Sequence, residues 1–183
     1  MARVSAVLLV AAGLLFSLVH AVAGDPHSPE GPLQHLALGL PIAAAGVVAL
    51  IGIGTRSTWL VLAGGAAALP MCLVSIIGIP AAPFAVALIV SAARRLGRPS
   101  TRDLGATGVI VLLLVGSFFY EVLHQDPAEW ATPDGSAGSS NIITMTESLV
   151  VLIAVGLALV LATGYARARG RGMPSAVAGT ARS

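Results

Sequence analysis

The side chains in this sequence best suited to chemistry near neutral pH are four histidines and eight acids. His20, His27, His35 and His124 all sit beside apolar segments, together with most of the acids. His20 ends one such segment and His35 opens the next. Glu121 and His124 are three residues apart, a spacing that puts both on one face of a helix. Imidazole and carboxylate suit zinc or a similar divalent ion, so His20, His35, Glu121 and His124 form the candidate metal set. The same groups could instead act as a pH-responsive cluster. The plain alternative is that polar residues collect wherever an apolar segment meets water. No H-E-x-x-H motif occurs, and one E-x-x-H is a weak signal.

No other chemistry is signposted. There is no P-loop, Rossmann fingerprint, haem-attachment motif or hydrolase elbow, and no cofactor is implied. The middles of the apolar segments carry no ionisable side chain. Ser17, Ser75, Ser91, Thr107 and Ser117 are neutral and can bond back to their own helix. Ion-coupled transporters and proton relays need ionisable groups at mid-membrane, so this pattern argues against a transporter of that kind working alone. A neutral or apolar substrate stays open.

The elements that would position these groups follow from composition. The 183 residues are 56% hydrophobic and 10% charged, with a mean hydropathy of +0.92. A soluble domain carries roughly 25% charged residues. The apolar residues fall in nearly charge-free blocks of about 20, the length needed to cross a hydrocarbon core. The expected fold is therefore an all-α integral membrane protein, a bundle of about six transmembrane helices. The domain covers residues 1–171, with spans at about 4–23, 32–54, 59–78, 81–94, 104–124 and 145–165, and a disordered cytoplasmic tail at 172–183.

The stretch from Trp59 to Ala93 contains no charge. As one helix it would be about 52 Å long, too long for a ~30 Å core even when tilted. Gly78, Pro80 and Pro83 interrupt the helical ladder and mark the turn between two passes, or between one pass and a re-entrant piece. Charge parity favours two passes. All ten basic residues are arginines: Arg3, Arg56, Arg94, Arg95, Arg98, Arg102, Arg167, Arg169, Arg171 and Arg182. With six spans and both termini in the cytoplasm, every one lies inside, as the positive-inside rule asks. The expected location is the plasma (inner) membrane, multi-pass. Topology also accounts for the basic balance, so nucleic acid is not an expected partner. These inner arginines could attract anionic lipid, although topology alone already requires them.

Seven of the eight acids fall outside in this arrangement, and Asp103 is the exception. Ser100-Thr101-Arg102-Asp103 reads as an N-cap with an acid three residues on, where a helix N-terminus favours negative charge. Thr144-Met145-Thr146-Glu147 repeats the pattern before the last span. Asp126-Pro127-Ala128-Glu129 predicts a short surface helix carrying Trp130, then a turn at Pro133-Asp134-Gly135 and a flexible run from Ser136 to Ser140. At the start of the chain, Ala21-Val22-Ala23 before Gly24 resembles a signal-peptide cleavage site. An uncleaved first helix is the preferred reading, because Val4–Val19 is long for a signal core. The single cysteine, Cys72, lies within a span and can form no intramolecular disulfide.

Small residues are abundant at Ala43–Gly46, Gly64–Ala68, Gly105 and Gly108. They let helix backbones approach closely in lipid. The leading expectation is a non-enzymatic accessory or structural subunit that packs against partner helices. Its partners would be the bilayer and a membrane protein or a second copy of the chain. The alternatives are a small transporter or channel-like protein for a neutral solute, and an outer-face metal-binding or pH-sensing protein. A midplane cavity would favour the solute reading and converged histidines the metal reading. An exposed small-residue face would favour the subunit.

Overall fold

The computed structural model describes residues 1–23, 32–74, 78–131 and 137–171. They form α1 (Ala2–Ala23), α2 (Pro32–Gly54), α3 (Thr58–Val74), α4 (Ala82–Ala93), α5 (Thr101–Leu123) and α6 (Met145–Arg171). A 3-10 turn, Ile79–Ala81, precedes α4, and a two-stranded hairpin separates α5 from α6. Four helices are long and apolar enough to cross a membrane: Ala2–Val22, Gln34–Gly54, Thr101–Leu123 and Met145–Gly170. The apolar helices Thr58–Val74 and Ile79–Ala93 are shorter and pack against each other.

The break between α3 and α4 follows from proline chemistry. Pro80 and Pro83 sit at the second positions of the 3-10 turn and of α4. A missing N–H costs nothing there, since those N–H groups have no intrahelical partner. The charge-free stretch therefore restarts as a second helix rather than continuing the first.

Helix α2 is the centre of the bundle. It packs against α1, α3, α5 and α6, and 67% of its spanning window is buried, against 28% for α1 and α5. Its sequence explains this, because Ala43, Ala44, Ala45, Gly46, Val48 and Ala49 leave room on several sides. The closest approach is between α1 and α2. A Cβ at Gly39 would overlap the Gly13 carbonyl oxygen and the Ser17 hydroxyl. The Ser17 hydroxyl accepts from the Gly39 N–H at 3.2 Å and donates to the Leu36 carbonyl at 3.1 Å. Ser17 thus bonds across to the neighbouring helix, beyond the self-bonding its sequence position suggests. Gly46 and Gly65 make similar approaches, with added Cβ atoms 2.8 Å from Ala6 O and 3.0 Å from Ala85 O. The outward surface is apolar instead, with Leu14, Leu18, Leu112, Ile153 and Val160 exposed, as a lipid-facing surface requires.

Both capping predictions have counterparts in the structure. Ser100 and Asp103 form a reciprocal capping box at the start of α5. At the start of α6, the Glu147 carboxylate accepts from the Thr144 N–H at 2.8 Å and from the Thr144 hydroxyl.

The surface helix expected from Asp126 is absent. Instead β1 (Asp126–Ala131) pairs antiparallel with β2 (Ala137–Ile142), in register from Asp126↔Ile142 to Ala131↔Ala137. The capping signal was present, but Pro133 limits any helix there to fewer than two turns, below the length at which helix formation recovers its nucleation cost. Pairing with the run that includes Ser139 and Ser140, expected to be flexible, satisfies the backbone of both segments. The bundle is thus helical except for one hairpin among the described residues. The predicted turn at Pro133-Asp134-Gly135 and the tail at 172–183 lie outside the described residues.

Replacing Gly39 by Val should lower the thermal unfolding temperature in mild detergent, with a loss on the order of 1–3 kcal/mol from overpacking. Gly116→Val is the control, because a Cβ there meets nothing within 4 Å. Equal unfolding temperatures for the two variants would contradict the α1–α2 backbone contact.

Candidate functional site

The predicted ligand set does not assemble. His20, in the last turn of α1, and His35, in the first turn of α2, lie edge to face with ring centroids 5.4 Å apart. Glu121 is fully buried near the end of α5. His124 goes elsewhere. It caps α5 with φ −111° and ψ 25°, its Nδ1–H donates to the Tyr120 carbonyl at 2.9 Å, and its exposed ring stacks on Tyr120 at 4.3 Å. Among the described residues, no group of three or more His, Cys, Asp or Glu could hold a metal ion. The His124 N–H still makes the helical bond to the Tyr120 carbonyl, but its ring turns onto Tyr120 at the exposed end of α5 while Glu121 is buried. His27 lies outside the described residues.

A denser polar cluster occupies the opposite end of α5. The Asp103 carboxylate is only 14% exposed and serves two elements. One oxygen accepts from the Ser100 N–H at 3.1 Å and the Ser100 hydroxyl at 2.7 Å. The other accepts from the Tyr165 hydroxyl and from Arg169 Nη1 at 3.2 Å. Arg169 also donates to the Tyr165 hydroxyl oxygen at 2.7 Å. One acid thus caps α5 and pins the far end of α6 against it. The sequence shows the cap, because its partners lie three residues apart. Tyr165 is 62 residues away, and no local pattern links the two. Their i, i+4 spacing on α6 makes Tyr165 and Arg169 a pair, and that was the only available hint.

Beside this latch the surface opens. Glycines 13, 39, 46, 52, 64 and 65, all on the first three helices, sit against neighbouring atoms. In α5 and α6 the pattern reverses: a Cβ at Gly105, Gly108, Gly116, Gly156 or Gly164 would meet nothing within 4 Å. Gly105, Gly108, Val109, Leu112 and Gly116 are exposed along one side of α5. Gly105, Ala106 and Gly164 floor a groove of about 450 Å³ between α5 and α6, walled by Val109, Val160 and Leu161. The Tyr165 latch closes its end. Most of its lining is apolar, with Arg102 and Tyr165 the polar exceptions.

Asp103→Ala removes the carboxylate half of the capping box and the latch, while the Ser100 hydroxyl keeps its bond from the residue 103 N–H, and it should cost about 1–2 kcal/mol, the scale of lost hydrogen bonds to a charged group. Arg169→Ala removes only a partly exposed ion pair and should cost less than about 1 kcal/mol. Denaturant unfolding of the two variants tests the order, and a larger loss for Arg169→Ala would contradict the shared role of Asp103.

These assignments rest on the chain's own side chains, since no protein family, curated protein or solved structure matches it.

Proposed function

We propose that this chain is a six-span protein of the plasma (inner) membrane, with both termini in the cytoplasm, that acts without catalysis as an accessory subunit. It would seat a partner's transmembrane helix on the open face of α5 and α6. The observation that carries this reading is the division of the glycines. Six of the seven glycines on the first three helices are used up in internal contacts, the exception being Gly54 at the end of α2, while those of α5 and α6 face open space. Small residues matter in a bilayer because they let backbones meet, and a partner helix is the occupant that makes use of that property. A carrier for a neutral solute would instead need a cavity near the middle of the bundle. The exposed stripe on α5 is glycine, valine and leucine.

The orientation draws support from two pieces of geometry. Met1, Arg56 and Arg95 line one cleft, and Asp103 bonds Arg169. The arginine-bearing ends of α1, of the α2–α3 turn and of α4 therefore lie together, and the start of α5 meets the end of α6. Both contacts agree with all ten arginines facing the cytoplasm.

Reporter fusions after Arg56, Arg98 and Arg171 should read as cytoplasmic, and those after Glu30 and Gly135 as external. A fusion at Ala82 should read as external or protected, and a cytoplasmic signal there would reject the two-pass assignment of residues 59–93. Docking has a separate test. A photo-crosslinker at Leu112 should trap a membrane-protein partner, and Gly105→Leu with Gly164→Leu should abolish the crosslink without lowering the unfolding temperature. Trapping a second copy of the chain would make the face a homo-oligomer contact. A crosslink that survives both substitutions would reject the groove as the docking surface.

A further inference from the structure

The second large concavity lies away from α5 and α6, where the start of α1, the α2–α3 turn, the start of α3 and the end of α4 meet. This cleft of about 460 Å³ falls in the size range of small-molecule sites. Two guanidinium-bearing residues, Arg56 and Arg95, line it together with Ser57, Thr58 and Ser91. We propose that it binds a phosphate group, carried either by a lipid headgroup or by a soluble phosphate compound.

Backbone conformation is the first argument. Helix α2 ends in a Schellman motif, in which the Ser57 N–H bonds Gly52 O at 2.7 Å and the Arg56 N–H bonds Ile53 O at 3.3 Å. Arg56 occupies the left-handed position of that motif, with φ 55°, and no other described non-glycine residue has a positive φ. Glycine is the residue that suits this position, and an L side chain there is strained. Topology explains why a cation lies at this end of the bundle. It does not explain why the cation occupies the strained position, since the exposed Thr55 beside it has no positive φ and could carry the charge. What the position does provide is an arginine whose backbone is fixed beside the cleft by a closed turn.

The second argument is the hydroxyl of Ser57. This residue is 1% exposed, lines the cleft, and its Oγ is buried without any hydrogen-bond partner. Its carbonyl accepts from the Val61 N–H, so Ser57 is the N-cap of α3. A serine in that place ordinarily turns its hydroxyl onto an N–H of the first turn. Here it does not, and the N–H groups of Thr58, Trp59 and Leu60 have no carbonyl within their own helix to receive them. A buried unbonded hydroxyl and an uncapped helix N-terminus supply donors at one place, and that combination suits an anion.

Phosphate fits better than carboxylate. Two guanidinium forks, a hydroxyl and a helix N-terminus exceed what two carboxylate oxygens accept, whereas a tetrahedral anion can engage donors from several sides. Among the described residues no carboxylate lines the cleft. Asp103, which lies at the arginine-bearing end of α5, is already held by Ser100, Tyr165 and Arg169. The cleft also has apolar lining from Ile53, Val61 and Ala92 beside its polar residues, so it can accommodate an amphiphile.

The test uses the purified full chain in a neutral detergent, with native mass spectrometry and thermal unfolding as readouts. The probes are dioleoyl phosphatidic acid, dioleoylglycerol, which lacks the phosphate, and inorganic phosphate. One saturable site for phosphatidic acid and none for dioleoylglycerol is expected. Arg56→Gly should weaken that site by about tenfold or more, the scale of a lost charge-assisted hydrogen bond. The same substitution relieves the left-handed position, so it should hold or raise the unfolding temperature, and lost binding could not be blamed on lost folding. Ser57→Ala should weaken binding by a smaller factor. The double variant Arg94→Gln, Arg98→Gln, whose residues do not line the cleft, should bind as the parent does. Equal saturation by inorganic phosphate would identify a soluble phosphate as the source, and selective retention of phosphatidic acid a lipid headgroup. Undiminished binding in Arg56→Gly, or no saturable binding of either phosphate probe, would overturn the proposal.

Discussion

Everything in this bundle hangs on how closely α1, α2 and α3 can bring their backbones together. Inside a bilayer, apolar side chains gain little by leaving lipid for one another, because lipid tails are equally apolar. What remains is dispersion between tightly packed atoms and the occasional hydrogen bond between helices. The Gly13–Gly39 crossing supplies both, with backbone against backbone and Ser17 bonding Leu36 and Gly39 across the gap. Gly46 and Gly64 continue the same logic along α2, against Ala6 and Ala49. The position of α2 at the centre sets the places of α5 and α6, which pack against it from the other side.

Much of the architecture was legible because the signals are local and strong. Helix α2 runs from Pro32, where proline suits a first turn, to Gly54. Ser100 and Asp103 are a capping pair on sight, and they form one. The prolines and glycine at 78–83 mark the break between α3 and α4 because two prolines three residues apart suit the starts of new helical turns. Where the reading failed, a local signal met a competitor that sequence does not display. Asp126-Pro127 resembles a helix start, but a strand partner more than ten residues away outcompeted a helix too short to stand alone. The Glu121–His124 spacing sits on one helix, yet Glu121 is buried and the His124 ring turns onto Tyr120 at the exposed end.

The candidate surfaces were less legible, for a different reason. Glycine content announces close packing without saying which face is used inside the bundle and which is left outside. Gly64 and Gly105 look alike in sequence, yet the first lies against Ala49 and the second faces nothing. Only the three-dimensional arrangement separates them. The same holds for Asp103, whose capping role is local and whose bonds to Tyr165 and Arg169 depend on α6 returning beside α5.

Two departures from the choices that stability favours lie side by side. An arginine occupies a backbone position suited to glycine, and a buried N-cap serine leaves its hydroxyl unbonded. Both lie in one cleft, although one concerns backbone torsion and the other hydrogen bonding. On α5, glycine recurs at exposed helical positions, where alanine would favour the helix by up to about 1 kcal/mol each. The two surfaces also differ in kind, one lined by arginines and hydroxyl residues, the other smooth and apolar along α5 and α6. The proposed phosphate site and the proposed helix-docking face thus call on different chemistry, charge and hydrogen bonding in the first and close backbone approach in the second.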